Sequence, residues 1–435
     1  MEPTPRAVTA TRGHRGLFQA MPERRSLPER TKARTQDSRQ HNRSLVLATL
    51  YQDGPMTRPE LSRATGLTAP TISALVADLE QDGLVADIGP REGTRLGKPA
   101  GLVRLEDGAA TIVALDLSHS DRFTGAVLDL RGTVLDRAEV EIGDAVGPEA
   151  DALVHRLAAE LVGKAPRRVL GIGVGTPGLV DDQGVVRQAA HLEWTDLPMA
   201  ADLAGRFGVP ARVGNDINLA ALAVRHFREV RALNLMVVSI EHGVGAGLVV
   251  GGELVEGEQY AAGEIGHVTV EEDGEPCVCG RRGCLDPLID AGNLRRRLAA
   301  VATATATATA AEAASSVRAA NDAAGNDAAA ATAAAGNDAD ADLDRHRDEV
   351  LAAAGRALGV VLAPIVSVLN LNDVVLAGPA ELVDGPFLDA VRRTVAARTL
   401  APISASVAIR STAGDPDLVL LGAAGLVLAS ELGVL

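Results

Sequence analysis

At 435 residues, 47% of them hydrophobic and 2% aromatic, the chain is long enough for about three domains with sizeable cores. Scarce aromatics argue against stacking on single-stranded nucleic acid, and a polar, arginine-rich N-terminus with no run of about 18 apolar residues anywhere points away from a signal peptide or a membrane span. The net charge of −15 is uneven: residues 1–105 carry 16 Lys and Arg against 11 Asp and Glu, net +5, which leaves −20 for the remainder. A basic N-terminal module on an acidic body suits phosphate contacts at one end only.

Residues 1–38 lack an apolar period and are rich in Arg, Pro, Thr and Gln, the composition of a disordered basic arm. From 39 the pattern turns helical, with Val46, Leu47, Leu50 and Tyr51 on one apolar face before the break at DGPM. A second helix opens on a capping box of Thr57 and Glu60, turns Leu61 and Ala64 inward and stops at Gly66. The third, TAPTISALVADLEQDG, is capped by Thr68, tolerates Pro70 in its first turn and buries Ile72, Leu75, Val76 and Leu79. Helix, glycine turn, helix is a helix-turn-helix, and its exposed first turn offers Ala69, Thr71 and Ser73 to base edges in a major groove. LVADIGPREGTRLGKPAGLVRL follows as two strands around a basic loop of Arg91, Arg95 and Lys98, a wing for the DNA backbone or minor groove. Residues 39–106 are thus predicted to be a winged helix-turn-helix that binds double-stranded DNA.

Beyond 107, strands such as TIVALDL, FTGAVLDL, RVLGIGVG, LMVVSI and GLVVGG alternate with helical stretches, an α/β pattern. Gly173, Gly175 and Gly178 match G-x-G-x-x-G. A dinucleotide site would open a helix there, whereas Pro177 and LVDDQGVV read as a turn and hairpin.

All three cysteines, Cys277, Cys279 and Cys284, fall in CVCGRRGCLD. Three thiols cannot pair completely, and C-x-C-x4-C around Gly280 and Gly283 places three thiolates on a tight knuckle. His267, in the HVTVEE strand pattern just upstream, completes a Cys3His set for a structural Zn²⁺. Free thiols without an export signal suit the cytoplasm, with no membrane partner. Residues 299–342 then interrupt the pattern with ATATATATA and AGNDA repeats; Asn, Asp and Gly are expected to defeat a helix, leaving a flexible surface insertion. Helical LAAAGRALGVVLAPIVSVLN and the buried strand DVVLAG resume the α/β order.

GVGTPGLVD (173–181), NDINLAALA (215–223), GEIGH (263–267) and CVCGRRGCLD (277–286), in that order, resemble the ROK family, named for repressors, open reading frames and sugar kinases. The resemblance spans nearly the whole chain from about residue 39, apart from the insertion. It implies two actin-like (ribonuclease H-like) lobes, 107–228 and 229–435, with a sugar cleft between them. The second lobe would hold the zinc knuckle (266–286), the insertion and a C-terminal helix returning to the first lobe. The N-terminal module is similar to that of the family's repressor branch. By this resemblance Asn215, Asp216, Glu264 and His267 bind the hydroxyls of a sugar or sugar phosphate, while Gly175, Thr176, Pro177 and Gly178 shape the cleft. Asp286 stands where the family commonly has Glu.

Two loops depart from the family's kinases. Their D-x-G-x-T loop is matched by DLSHS, Asp116–Ser120, and their G-T-G loop by EHG, Glu241–Gly243. DLSHS has neither the glycine nor the threonine, and EHG aims a carboxylate where phosphates belong. Phosphate cradles need close backbone approach and neutral or positive surroundings, so bulk and negative charge predict no kinase activity. Asp216, the general base of such a kinase, would then only orient a hydroxyl. The expectation is a sugar-responsive transcriptional regulator, a repressor of carbohydrate-utilisation genes acting on paired half-sites as a homodimer or homotetramer. The alternative is an active ROK sugar kinase carrying a DNA-binding domain. His267 belongs to both the zinc set and the sugar set, which marks the knuckle as a coupling element.

Overall fold

The computed structural model describes residues 35–90, 101–228, 232–322, 328–412 and 415–434. Most of the expected arm and the wing residues Arg91, Arg95 and Lys98 lie outside the described residues. The first helix, α1 (Thr35–Asp53), begins inside the stretch expected to be disordered, because Gln36, Arg39 and Gln40 are good helix formers continuous with the apolar face that follows. Strand β1 (Met56–Thr57), helices α2 (Arg58–Thr65) and α3 (Ala69–Gln81), and strands β2 (Val85–Pro90) and β3 (Gly101–Leu105) complete the module. Its sheet runs β1-β3-β2, all antiparallel.

Local chemistry sets these boundaries. Thr57 caps α2 in a reciprocal box with Glu60, whose Oε2 accepts from the Thr57 N–H at 2.8 Å. Gly66 stops α2 in the left-handed region at φ 72°, where a side chain would be strained. Ile72, Leu75, Val76 and Leu79 are buried as their spacing requires, together with Leu61. Ala64 is exposed, contrary to expectation, since Leu61 alone faces the core from this short helix.

The first lobe comprises β4 (Thr111–Asp116), β5 (Arg122–Leu128), β6 (Val134–Glu141), α4 (Gly147–Lys164), β7 (Val169–Thr176), β8 (Leu179–Val180), β9 (Val186–Ala189), β10 (Trp194–Leu197), α5 (Met199–Phe207), β11 (Ala211–Asn215) and α6 (Asp216–Phe227). Five strands order as β11-β7-β4-β5-β6, with β11, β7 and β4 parallel and β5 and β6 antiparallel. After β7 the chain enters the small β8-β9-β10 sheet and no helix, so the glycine triplet is a hairpin entry, as expected.

In the second lobe β12 (Leu235–Ile240), β13 (Val244–Val250) and β14 (Glu253–Leu254) precede α7 (Asp286–Ile289), α8 (Ala291–Asp322) and α9 (Ala328–Leu369). Then come β15 (Asp373–Ala377), α10 (Ala380–Val383), α11 (Pro386–Arg398), α12 (Ala401–Ser406), β16 (Ala408–Ser411) and α13 (Leu418–Glu431). Its sheet has the order β14-β13-β12-β15-β16. The insertion expected to be non-helical is helical over 299–322 and 328–342, where it extends α8 and α9. Alanine, the strongest helix former, outweighs the scattered Asn and Asp. HVTVEE is not a strand: His267 ends a 3₁₀ turn, and Thr269 makes only an isolated bridge to Cys284.

Ala341–Leu369 is long and apolar enough to cross a membrane, yet half of its apolar window is buried, as in a core helix packed on α11. Helix α13 lies against β7, β4, β11 and α6, and is apolar on nearly all sides because nearly all sides are covered.

Candidate functional site

The cysteine knuckle is built by two glycines in the left-handed region, Gly280 (φ 86°) and Gly283 (φ 69°), which reverse the chain tightly enough for the Cys277 N–H to bond the Arg281 carbonyl at 2.8 Å. The ligand atoms of His267, Cys277, Cys279 and Cys284 all lie within 4.8 Å of one another. Cys279 and Cys284 sulfurs are 3.6 Å apart, and Cys277 Sγ is 3.5 Å from His267 Nδ1. A tetrahedron with Zn–S of about 2.3 Å and Zn–N of about 2.0 Å has edges of about 3.8 Å between sulfurs and about 3.5 Å between sulfur and nitrogen, so the donor set fits such an ion. Burial pushes the Cys277 thiol up to about 12, a state that a bound cation would reverse. With Nδ1 on the sulfurs, the Nε2 of His267 faces Glu264, 4.0 Å from its Oε2.

Beside the knuckle, the cleft residues divide into those that present groups and those that hold others in place. Asn215 caps α6: its Oδ1 accepts from the N–H groups of Ile217 (3.1 Å) and Asn218 (3.0 Å), while Nδ2 donates to the Gly178 carbonyl (3.1 Å) and to Asp216 Oδ1 (3.0 Å). Both lone pairs and both protons of its amide are thereby used, which makes Asn215 a bracket between α6 and the β7–β8 turn. Asp216, the first residue of α6, also accepts from the Ile217 N–H at 2.9 Å. Burial, then the nearby Asp116 carboxyl, pushes its pKa up to about 7. Glu264 is raised in the same direction by burial and by Asp286.

Asp286 Oδ1 accepts from the Val244 N–H at 2.7 Å, which anchors the exit of the EHG loop, and burial pushes its carboxyl up to about 6. Thr176 is buried, with its hydroxyl 3.3 Å from the Pro177 carbonyl, and half-buried Pro177 leads into Gly178 at φ 92°. Gly175 faces Leu219 of α6 and Val419 of α13, so the missing side chain permits close helix–sheet packing.

The two loops matched to phosphate loops meet across the cleft. Buried Asp116 accepts from the Ser118 N–H (2.9 Å) and hydroxyl (2.6 Å), and His119 Nε2 lies 3.6 Å from its other oxygen. Ser120 Oγ is 2.7 Å from His242 Nε2, a contact between the lobes. Burial raises the Glu241 carboxyl and lowers the nearby His191 imidazole. Sequence reasoning passed over His119, His191 and His242. Two of them stand inside the very loops it compared, DLSHS and EHG, and that was the available signal.

On the DNA-binding module, Ala69 and Ser73 are exposed on the first turn of α3. Thr71 is half-buried, with its hydroxyl 2.9 Å from that of the cap Thr68. Arg58 fastens α2 to α3 and β2 through Glu80 (2.9 Å) and Asp87 (3.0 Å).

The ROK family model matches residues 113–430, and a MarR family model matches residues 39–95. The chain belongs to the ROK family. Among its ROK relatives, the xylose repressor of Bacillus subtilis strain 168 is 29% identical over 248 residues, 56% of this chain and 64% of that protein. NagC of Escherichia coli K12, a DNA-binding transcriptional dual regulator, is 24% identical over 367 residues, 83% of this chain and 86% of its own. A crystal structure of a ROK family transcriptional regulator, a homologue of E. coli MLC, superposes with a TM-score of 0.72 at 22% identity, covering 91% of this chain and 99% of that one. A Streptomyces griseus ROK glucokinase superposes at 0.57 and 22% identity over 73% of this chain and 99% of its own. These superpositions establish the fold: a winged helix followed by the actin-like ROK body.

Proposed function

We propose that this ROK protein is a sugar-responsive DNA-binding transcriptional repressor of carbohydrate-utilisation genes. Its cleft takes a sugar or sugar phosphate, its knuckle carries a structural Zn²⁺, and it acts in the cytoplasm on operator DNA as a homodimer or homotetramer. The observation that carries the reading is the joining of a winged helix to a ROK body whose two loops matched to phosphate loops depart from the kinase pattern. Ser118 and Ser120 stand in place of Gly and Thr in one, Glu241 and His242 in place of Gly and Thr in the other, and His242 and Ser120 are in contact between the lobes. DLSHS lacks the glycine and threonine of the kinase loop and Glu241 adds a carboxylate at the other, so close backbone approach and neutral surroundings for an anionic donor are both lost, and the Ser120–His242 contact joins the two loops.

Asp216, Glu264 and the Nε2 side of His267 then converge on a polyol, with Asn215, Asp286 and the Gly175–Gly178 turn holding the frame. Ala69, Thr71 and Ser73 read bases, and Arg95 and Lys98 position the wing on phosphates. One observation favours the kinase alternative: Asp216 keeps the place and the raised pKa of a general base. A thermal-shift screen of sugars and sugar phosphates, followed by ATP-turnover assays with each ligand found, tests both readings. Ligand binding without turnover is the expected result. Sugar-dependent turnover that vanishes in Asp216→Ala overturns it in favour of the kinase.

A further inference from the structure

The DNA-binding module and the first lobe share one apolar core, in which Val46, Leu47 and Leu50 of α1 join Leu421 and Leu428 of α13. Arg131, in the turn between β5 and β6, reaches across that seam. Its Nε donates to Asp107 Oδ1 (2.9 Å), one Nη donates to the Tyr51 carbonyl (2.6 Å), and the guanidinium carbon stands 4.5 Å from the centre of the Tyr51 ring. Tyr51 lies in the last turn of α1, where carbonyls lack intrahelical donors and the helix dipole is negative, so a guanidinium there both caps and complements the helix end. A planar fork that bonds a carbonyl and a carboxylate while facing a ring is something lysine cannot reproduce.

The turn that carries Arg131 is itself held firmly. Asp129 Oδ1 accepts from the N–H groups of Arg131 and Thr133, both at 2.8 Å. Its neighbour Gly132 (φ 81°) presses on two helices: a Cβ there would stand 2.9 Å from Phe227 Cε1 and 2.9 Å from Leu421 Cδ2. Phe227 ends α6, the helix that Asn215 caps and Asp216 begins. A helix of 12 residues is a stiff rod about 18 Å long, so close packing hands a displacement at its cleft end to the 129–133 turn.

We propose that Arg131 is the positioning residue through which a ligand at Asp216 controls the DNA-binding module, by way of α6, Gly132 and the end of α1. This rests on the effector reading of the cleft. It also assigns the coupling to the first lobe, in addition to any contribution from the knuckle in the second.

The test uses the full zinc-loaded chain as wild type, Arg131→Ala and Arg131→Lys. Without ligand, amide exchange at residues 51–54 should rise about tenfold in Arg131→Ala and less in Arg131→Lys, while α6 stays protected. Unchanged exchange there overturns the clamp whatever the effector proves to be. With D-xylose, D-glucose and N-acetyl-D-glucosamine as probes, a responsive wild type should change operator affinity about 5–150-fold, whereas Arg131→Ala should respond less than about twofold at unaltered sugar affinity. A full response in Arg131→Ala overturns the coupling role. No response in the wild type to any sugar or sugar phosphate counts against the effector reading instead, and leaves the exchange result to decide the clamp.

Discussion

Asp216 shows how a single carboxyl can be set for its task by its surroundings. One oxygen is committed to Asn215 and the Ile217 N–H, and burial with the Asp116 charge lifts its pKa to about 7. Near neutrality such a group can donate as well as accept, which suits a sugar hydroxyl of either polarity. The same shift has a stability consequence. Because the folded chain holds this proton more tightly than the unfolded one, stability is fully present below about pH 4 and declines as pH rises to about 7. Asp216→Asn should flatten that decline, by at most about 4 kcal/mol between the two limits, measured as urea midpoints across a pH series. Asp116 and Glu264 are raised too, so a residual slope should persist in the variant. A slope identical to wild type would show that Asp216 ionises freely. None of this was visible in NDINLAALA, where adjacent Asn and Asp look like two ligands; the structure makes the first a cap whose amide is fully used, and has one oxygen of the second accept from Asn215 and Ile217.

At the scale of elements, legibility followed the range of the interactions. Capping boxes, glycine stops and the buried stripe of α3 were readable because every partner lies within a few residues, and the knuckle was readable for the same reason. The 299–342 stretch was misread because local propensities conflict there, and alanine prevails. The Ser120–His242 contact joins residues 122 positions apart, and no periodicity signals it. Two predictions belong to these elements. Purified protein prepared without chelator should contain near-stoichiometric zinc, and Cys284→Ser should remove it along with cooperative unfolding of the second lobe, read by metal analysis and calorimetry, since Cys284 is fully buried and bridges to Thr269. On α3, Ser73→Ala should cost about 1–3 kcal/mol at particular base pairs, while Lys98→Ala should weaken all sequences alike and flatten the salt dependence. Equal, sequence-blind losses in both variants would remove Ser73 from base reading.

The molecule as a whole is two lobes and a DNA-binding module whose α1 is tied to the first lobe by Arg131. Asp216 approaches the cleft from the first lobe, Glu264 and His267 from the second, so a sugar touching all three selects one angle between the lobes. Arg131 ties α1 of the winged helix to the first lobe, within a core that also takes in α13 and Leu235, Val237 and Val249 of the second lobe. In a dimer joined elsewhere, a lobe closure that carries the winged helix with the first lobe would change the spacing of the two recognition helices, and half-site spacing is a geometric requirement of such readers. The operator affinity can change only by the sugar's differential affinity for the open and closed states, typically about 1–3 kcal/mol, or roughly 5–150-fold. Asp216→Ala removes the first-lobe contact without touching the DNA module. It should bind operator as tightly as wild type in the absence of sugar and should lose the response to it. Paired operator titrations of wild type and variant, with and without the sugar, measure both quantities at once. Weakened sugar-free binding would mean that Asp216 supports the fold of the body, and an undiminished response would place the sugar's decisive contact elsewhere in the cleft.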